Sequence, residues 1–495
     1  MIAKNFCQTY GEGLSRRKFI LLSAMGAAGV AAGAAPRLVS PNDKLNIAIV
    51  GYGGQGGSDI QNCAGENIVA LCDADEKIGA SIRAAYPKAT YYQDFRKMLE
   101  KEKSIDALNI ATPDHMHAYI AAMAMKMGKH VYVQKPLAHS VYEARLLRRL
   151  ATENKVATQM GNQGSAAPGL RRAVEVIQAG IIGQVHDVHV WSNRPIWPQG
   201  LERPAGEDPV PEGLDWDLWI GAAPMRPFKG RINPQAGRGT DRSNFYHTFN
   251  WRGRIDFGTG ALGDMACHTC NLPFRALKLG YPTEIEAETV DLTKDSYPIK
   301  SKIRFQFPAR ENGLGPVTFR WYDGGNRNPN ASRSPYHDGN NKPPAEVTAD
   351  MLSIVDRLTT NGQIPGSGCL MIGDKGQIFS PDDYGTQFYL KLKDDKAFIN
   401  GAGHPAAKEI PVTIERNPFS GGSAHHQEWI AACKGGKPGY SNFDIAAYLT
   451  EIMVLGCVAM RAGKKLEWDG PNMLAKNAPE ASQFVHPEFR KGWEL

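Results

Sequence analysis

Residues 45–56 read Leu45-Asn46-Ile47-Ala48-Ile49-Val50-Gly51-Tyr52-Gly53-Gly54-Gln55-Gly56, an apolar strand running straight into G-x-G-x-x-G. Gly51 permits a tight turn, Gly53 lets backbone amides approach a pyrophosphate, and Gly56 lets the next helix pack closely with its N-terminus facing the anion. Three glycines alone are weak evidence. About 20 residues on, Ile68-Val69-Ala70-Leu71-Cys72-Asp73 is a second strand ending in a carboxylate, which can accept hydrogen bonds from adenosine ribose hydroxyls. The same carboxylate repels a 2′-phosphate, so the pattern favours NAD over NADP. The competing reading is a glycine turn followed by a solvated aspartate.

From Lys44 to Gly161 strands and helices alternate. The strands are expected at 45–50, 68–72, 90–92, 107–110, 130–133 and 156–160, which is a doubly wound parallel sheet. Ser140-x-x-Glu143 is a capping box opening a helix with Val141, Ala144, Leu147 and Ala151 on one face. Gly51, Asp73, Thr112 and Gln134 all fall at carboxyl ends of strands, the ligand edge of such a sheet. After Gly161 the pattern changes. A helix is expected near 169–179, then a strand at 185–191 and a long loop rich in Pro, Gly and Trp. Alternating strands follow at 301–307 and 317–322, a surface loop at 326–344, helices at 424–433 and 443–460, and a closing strand at 465–468. The fold class is α/β: a Rossmann domain over 44–162 and an α+β domain over 163–495 with a large, mostly antiparallel sheet.

A chain of 495 residues exceeds one ordinary core. Its formal charge is +6, of which residues 1–35 carry +3 through Lys4, Arg16, Arg17 and Lys18 against Glu12. No basic run with interleaved aromatics follows, so nothing points to nucleic acid. Ser15-Arg16-Arg17-Lys18-Phe19-Ile20-Leu21 and the Ala/Gly run to Ala35 read as a twin-arginine export signal. That implies removal of 1–35, a periplasmic or exported protein, and no stable membrane insertion. A membrane-anchoring helix is the rival, but 19–35 is short and glycine-rich for a span. Seven of the eight cysteines lie beyond the leader, an odd and scattered set that makes no disulfide framework. Cys267-x-x-Cys270 has no second pair, and no metal site is expected.

Three further segments carry chemistry: Ala111-Thr112-Pro113-Asp114-His115-Met116-His117, Gln134-Lys135-Pro136, and Gly260-Ala261-Leu262-Gly263-Asp264-Met265-Ala266-Cys267-His268. Taken together with the glycine turn, they resemble the glucose-fructose oxidoreductase, inositol dehydrogenase and rhizopine-catabolism (Gfo/Idh/MocA) family across essentially the whole chain after the leader. By that resemblance Lys135 points at the reacting oxygen of a substrate, and a cation there stabilises negative charge on oxygen as hydride leaves carbon. Members of that family usually carry Glu where this chain has Gln134, which opens the question of how Lys135 is held. Asp264 and His268, four apart, share a helix face. The resemblance makes His268 the general base, with Asp264 orienting it or binding substrate, and an imidazole suits the task because its pKa lies near working pH. A capping Asp with a structural His, or a metal pair lacking a third ligand, are the alternatives.

Tyr52, Pro113, His117 and Gln163 join the expected cofactor contacts, although His115 and His117 could equally pack at the sheet edge. Asn162, Arg194, Trp197, Tyr246, Trp251 and Arg252 suit a sugar, whose C–H faces stack on rings and whose hydroxyls need donors. Trp216 and Trp219 read as core or loop anchors, and His425 and His426 as surface residues of a late helix. The expected function is an exported NAD-dependent oxidoreductase with a tightly held cofactor, acting on a secondary hydroxyl of a sugar, glycoside or cyclitol. Glycoside 3-dehydrogenation and NAD-dependent glycoside hydrolysis through transient C3 oxidation are both open, and a non-catalytic sugar- or NAD-binding protein is the rival class. The resemblance further implies a homodimer or homotetramer formed through the antiparallel sheet.

Overall fold

A computed structural model of the chain describes residues 43–230, 245–324, 343–345, 347, 364–419 and 421–495. The twin-arginine leader and most of the 326–344 loop lie outside them. The first sheet comprises β1 (Asn46–Val50), β2 (Asn67–Cys72), β3 (Thr90–Tyr92), β4 (Ala107–Ile110), β5 (His130–Val133) and β6 (Thr158–Met160), all parallel in the order 3-2-1-4-5-6. This is the doubly wound order, with its switch point between β1 and β4. Alternation in β1 sorts its side chains between two cores. Ala48 and Val50 join the large core beneath α2 (Asp114–Lys126) and α3 (Val141–Asn154), while Ile47 and Ile49 face the side of α1 (Gln55–Asn62). The capping box at α3 is present, Ser140 and Glu143 each satisfying the other's backbone N–H.

Beyond β6 come α4 (Pro168–Gln178) and β7 (Val185–Ser192), and a long excursion leads to α5 (Gly260–Thr269). Strands β8 (Glu284–Val290), β9 (Lys300–Phe307), β10 (Val317–Gly324), β11 (Gly368–Gly373), β12 (Gly376–Ser380), β13 (Tyr389–Leu392), β14 (Ile399–Asn400), β15 (Leu466–Asp469) and β16 (Leu474–Ala475) complete a ten-stranded sheet in the order 14-13-12-11-7-10-9-8-15-16. Its pairings are antiparallel except β7 with β10. The outward face of β8–β10 is charged rather than apolar: Arg304 pairs with Glu286 at 2.8 Å, and Arg320 with Asp187 of β7.

Two late helices cross back to the first sheet. In α6 (Gly421–Cys433), Trp429, Ile430 and Cys433 pack with Ile47, Ile49, Leu71 and Tyr132, so the core of the dinucleotide sheet is closed by residues far down the chain. His425 and His426 are therefore fully buried, correcting their assignment to the surface. The 20-residue helix α7 (Phe443–Ala462) is long and apolar enough to cross a membrane, but 83 % of its most apolar stretch is buried among α3, α5 and β8. Its composition is thus that of a core helix.

Candidate active site

A cleft of about 900 Å³ runs along the carboxyl ends of β1, β2, β4 and β5. Gly51 (φ +80°) turns the chain, and a Cβ there would lie 2.7 Å from the Ala111 backbone. A Cβ on Gly56 would fall 1.9 Å from Gly51 O, so the helix can start this close to the strand only with glycine. Tyr52, Gly53, Gly54 and Gln55 line the cleft together with Asp73, Thr112, Pro113, Gln134 and Lys135.

Asp73 accepts the Asp75 amide at 3.1 Å, and burial still pushes its carboxyl up to about 6, partly opposed by that amide and by the His247 charge. Thr112 Oγ1 is buried without a hydrogen-bond partner among the described residues. These features fit a dinucleotide: amides and the α1 N-terminus for the pyrophosphate, Asp73 for the adenosine ribose, and Thr112 to Lys135 for the nicotinamide half.

The opposite wall belongs to the excursion before α5. Leu214 bridges Asp75, Asp215 N donates to Ala74 O at 2.9 Å, and Glu76 N donates to Gly213 O at 2.9 Å. His247 Nε2 meets Asp75 Oδ2 at 2.9 Å. This strap lays Leu218, Trp219, His247, Thr248, Phe249, Trp251 and Arg252 along the cleft. Behind it, Trp216, Trp219, Phe228, Phe245, Tyr246 and Phe257 form a separate aromatic core, as expected for Trp216 and Trp219.

At the other end of the cleft the chain just after β5 meets helix α5 and the strap in one cluster. Lys135 Nζ donates to Asp264 Oδ1 at 2.8 Å and to Asp264 O at 3.2 Å, and Arg252 Nε reaches the same Oδ1 at 3.3 Å. Burial acts to raise the Asp264 pKa, but the Lys135 and Arg252 charges outweigh it and hold the carboxyl down at about 2. Burial likewise opposes the Lys135 charge, yet the Asp264 carboxylate keeps this ammonium above its ordinary pKa. The Lys135 ammonium is thus held by Asp264 from the other domain, while its chain neighbour Gln134 meets only its backbone amide.

His268 lies one turn on, its ring edge-on to Tyr384 at 4.9 Å and its Nδ1 buried without a partner among the described residues. Burial and the Lys135 charge push its pKa down to about 3. The imidazole is therefore neutral rather than poised near working pH, and among the described residues Asp264 makes no hydrogen bond to it.

Several expected contacts lie elsewhere. His117 is buried, its ring nitrogens against Pro136 O (2.7 Å) and Thr112 O (2.8 Å), so it ties two turns beneath the cofactor edge and does not line the cleft. His115 packs on Trp219 and Phe257. Asn162 is fully buried, donating to Cys267 O at 3.1 Å and accepting from Ser165 and Ser441, which fastens β6 to α5 and leaves it no reach to a substrate. Gln163 opens the short turn Gln163–Ala166 outside the cleft lining. Trp197, bonded to Gln199 at 2.8 Å, is buried edge-on to the cleft residue Phe249, and Tyr246 is buried in the aromatic core. Arg194 lies where its charge is felt by His268, Asp383 and Tyr384.

Asp383 and Tyr384, on the turn between β12 and β13, carry no motif and were not anticipated. Asp114, inside the 111–117 segment but given no role there, bonds Thr259 at 2.8 Å and is pushed up to about 7 by burial and Asp264. Cys267 and Cys270 are buried free thiols, and no group of three metal-ligating side chains occurs among the described residues.

Sheet order, glycine cradle and cleft together define a two-domain dinucleotide-binding α/β protein. Residues 45–162 match the Gfo/Idh/MocA model, described as an oxidoreductase family with an NAD-binding Rossmann fold. Among curated relatives, a glycosyl hydrolase family 109 protein of Solibacter usitatus is 32 % identical over 152 residues, 26 % of this chain and 34 % of that protein. Inositol 2-dehydrogenase 1 of Saccharopolyspora erythraea is 27 % identical over 153 residues, 29 % of this chain and 45 % of that protein. The chain thus spans less than half the length of the curated relatives it matches. Similarity of fold extends further. The WlbA dehydrogenase from Bordetella pertussis, solved with NADH and UDP-GlcNAcA, superposes with TM-score 0.56 at 15 % identity, covering 87 % of this chain and 99 % of that one.

Proposed function

We propose that this chain is an NAD-dependent oxidoreductase acting on a secondary hydroxyl or ketone of a sugar, glycoside or cyclitol. The observation that carries the reading is the ion pair between Lys135, which lines the cleft, and Asp264 of the other domain, one helical turn before His268. When bound, the nicotinamide supplies the hydride acceptor. Lys135, kept cationic by Asp264, donates to the substrate oxygen and stabilises charge on it. His268, neutral above about pH 3, accepts the hydroxyl proton on a ring nitrogen. A weak base suffices, because a hydroxyl whose carbon is losing hydride becomes strongly acidic. Arg252 and Trp251 offer the donor and the apolar face that a sugar ring requires.

Asp73 supports NAD over NADP, and the strap over the cleft supports a cofactor that stays bound through turnover. Export by the twin-arginine route, proposed from residues 15–21, fits such retention, since that route carries folded proteins. The glycosyl hydrolase family 109 relative supports a second reading, in which the hydride returns to the substrate after elimination of the aglycone. Self-association as a dimer or tetramer belongs to the same proposal. Incubating the NAD-loaded protein with a panel of sugars, cyclitols and aryl glycosides tests it, following nicotinamide absorbance and released aglycone. Reduction without aglycone release favours the dehydrogenase and release without net reduction favours the hydrolase, while neither signal across the panel ends the proposal.

A further inference from the structure

Asp59, in the second turn of α1, is fully buried, and each of its carboxyl oxygens accepts a side-chain amide. Oδ2 accepts Gln134 Nε2 at 2.8 Å, and Oδ1 accepts Gln55 Nε2 at 3.0 Å. His426 of α6 brings Nε2 to 3.6 Å from Oδ1 and to 3.4 Å from Asn109 Nδ2. Its Nδ1 faces Gly422 O at 2.9 Å, a contact that only an N–H can make. The ring stacks on Tyr132 at 4.2 Å.

Gln134 is held on its other side as well. Its Oε1 receives the amide of Lys135 at 3.4 Å, and Gly161 backs the group so closely that a Cβ there would lie 2.6 Å from Oε1. The amide cannot flip without losing both contacts. Its nitrogen must face Asp59, and its oxygen must face the backbone that carries Lys135. A residue on the pyrophosphate-binding helix is therefore tied through one side chain to the strand end bearing the lysine.

We propose that Asp59 is a positioning residue for Lys135: Asp59 orients Gln134, Gln134 fixes the Lys135 backbone at the cleft edge, and Gln55 holds the other oxygen of Asp59 in place. The inference rests on the reading of Lys135 as the group that meets the substrate oxygen. Its particular content is that the contact between positions 59 and 134 needs one acceptor and one donor, in either order. Two carboxylates there would have to share a proton, and two amides would lose the charge-assisted bond.

The test reverses the pair. Asp59→Asn, Gln134→Glu and the double variant are each prepared with NAD, and turnover, melting temperature and the emission of bound NADH are measured. Each single change is expected to lower kcat about 10-fold or more with KM little altered, as a small misplacement of a reacting group does. Gln134→Glu should in addition become pH-dependent as its facing carboxyls titrate. The double variant, with the carboxylate at 134 and the amide at 59, should return to within about 3-fold of the starting protein. Should a single variant not fold, recovery of folding in the reversed pair carries the same meaning. A double variant no better than the worse single in kcat, melting temperature and NADH emission overturns the proposal. If the starting protein turns over no sugar, NADH emission that shifts in the singles and returns in the double still supports the positioning role, separating its fate from that of the proposed reaction.

Discussion

At Asp73 two demands oppose each other. The carboxylate must be unprotonated to accept from both ribose hydroxyls, and burial makes that form costly, leaving the pKa at about 6. With a raised pKa the charged form is lost as pH falls through 6, so NAD should bind more weakly at pH 5 than at pH 7.5, by roughly 10-fold for one group over that interval. Titration calorimetry at the two values checks this, and Asp73→Asn should flatten the dependence and relatively favour NADP. At Asp264 the balance runs the other way, two cations holding it near 2. The i, i+4 spacing of Asp264 and His268 correctly placed both on one buried helix face. It could not show that Asp264 turns to Lys135 instead of His268, because a helical spacing says nothing of which cations another domain delivers. Likewise Asn162 read as a substrate contact from its position at a strand end, when its three hydrogen bonds make it a fastening between domains.

Among the elements, the strap formed by residues 213–219 and 247–252 sets this cleft apart from an open Rossmann edge. It pairs with the loop after β2 through backbone hydrogen bonds and the Asp75–His247 contact. Leaving the cleft requires a bound dinucleotide to pass this wall, so purified protein should contain NAD without addition. Removing the side-chain clasp in Asp75→Asn or His247→Ala forfeits a charge-assisted bond worth about 1.5–3 kcal/mol, and NAD release should quicken roughly 10- to 100-fold. Exchange of bound NAD for labelled NAD measures it, and unchanged release would show that the clasp does not retain the cofactor. The parallel strands were legible nearly to the residue, because β-branched runs ending in turn residues repeat at regular spacing. The strap was not, since Pro, Gly and Trp without periodicity announce a loop but not what it covers.

Across the whole molecule, the boundary drawn after Asn162 separates two sheets but not two cores. Trp429 and Ile430 close the first sheet from a helix near the other end of the chain, and α7 spans between α3 and β8. Loss of α6 packing, as in Trp429→Ala, should therefore destabilise the dinucleotide sheet by about 3–5 kcal/mol, visible as a lowered melting temperature in the NAD-loaded protein. The charged outward face of β8–β10 makes any pairing of copies there polar, so a dimer or tetramer seen by light scattering should weaken with added salt, and monomer alone at micromolar concentration would refute the association. In the proposed function the two domains meet where Lys135 pairs with Asp264, with His268 a turn further along α5. The most direct measurement is turnover of NAD-loaded Lys135→Ala and His268→Ala, with melting temperatures, on a sugar that the starting protein oxidises. A fall of about 100-fold or more in each, with NAD retained and a double variant little worse than the poorer single, is the expected result. Near-normal turnover in either folded, NAD-loaded variant would contradict it.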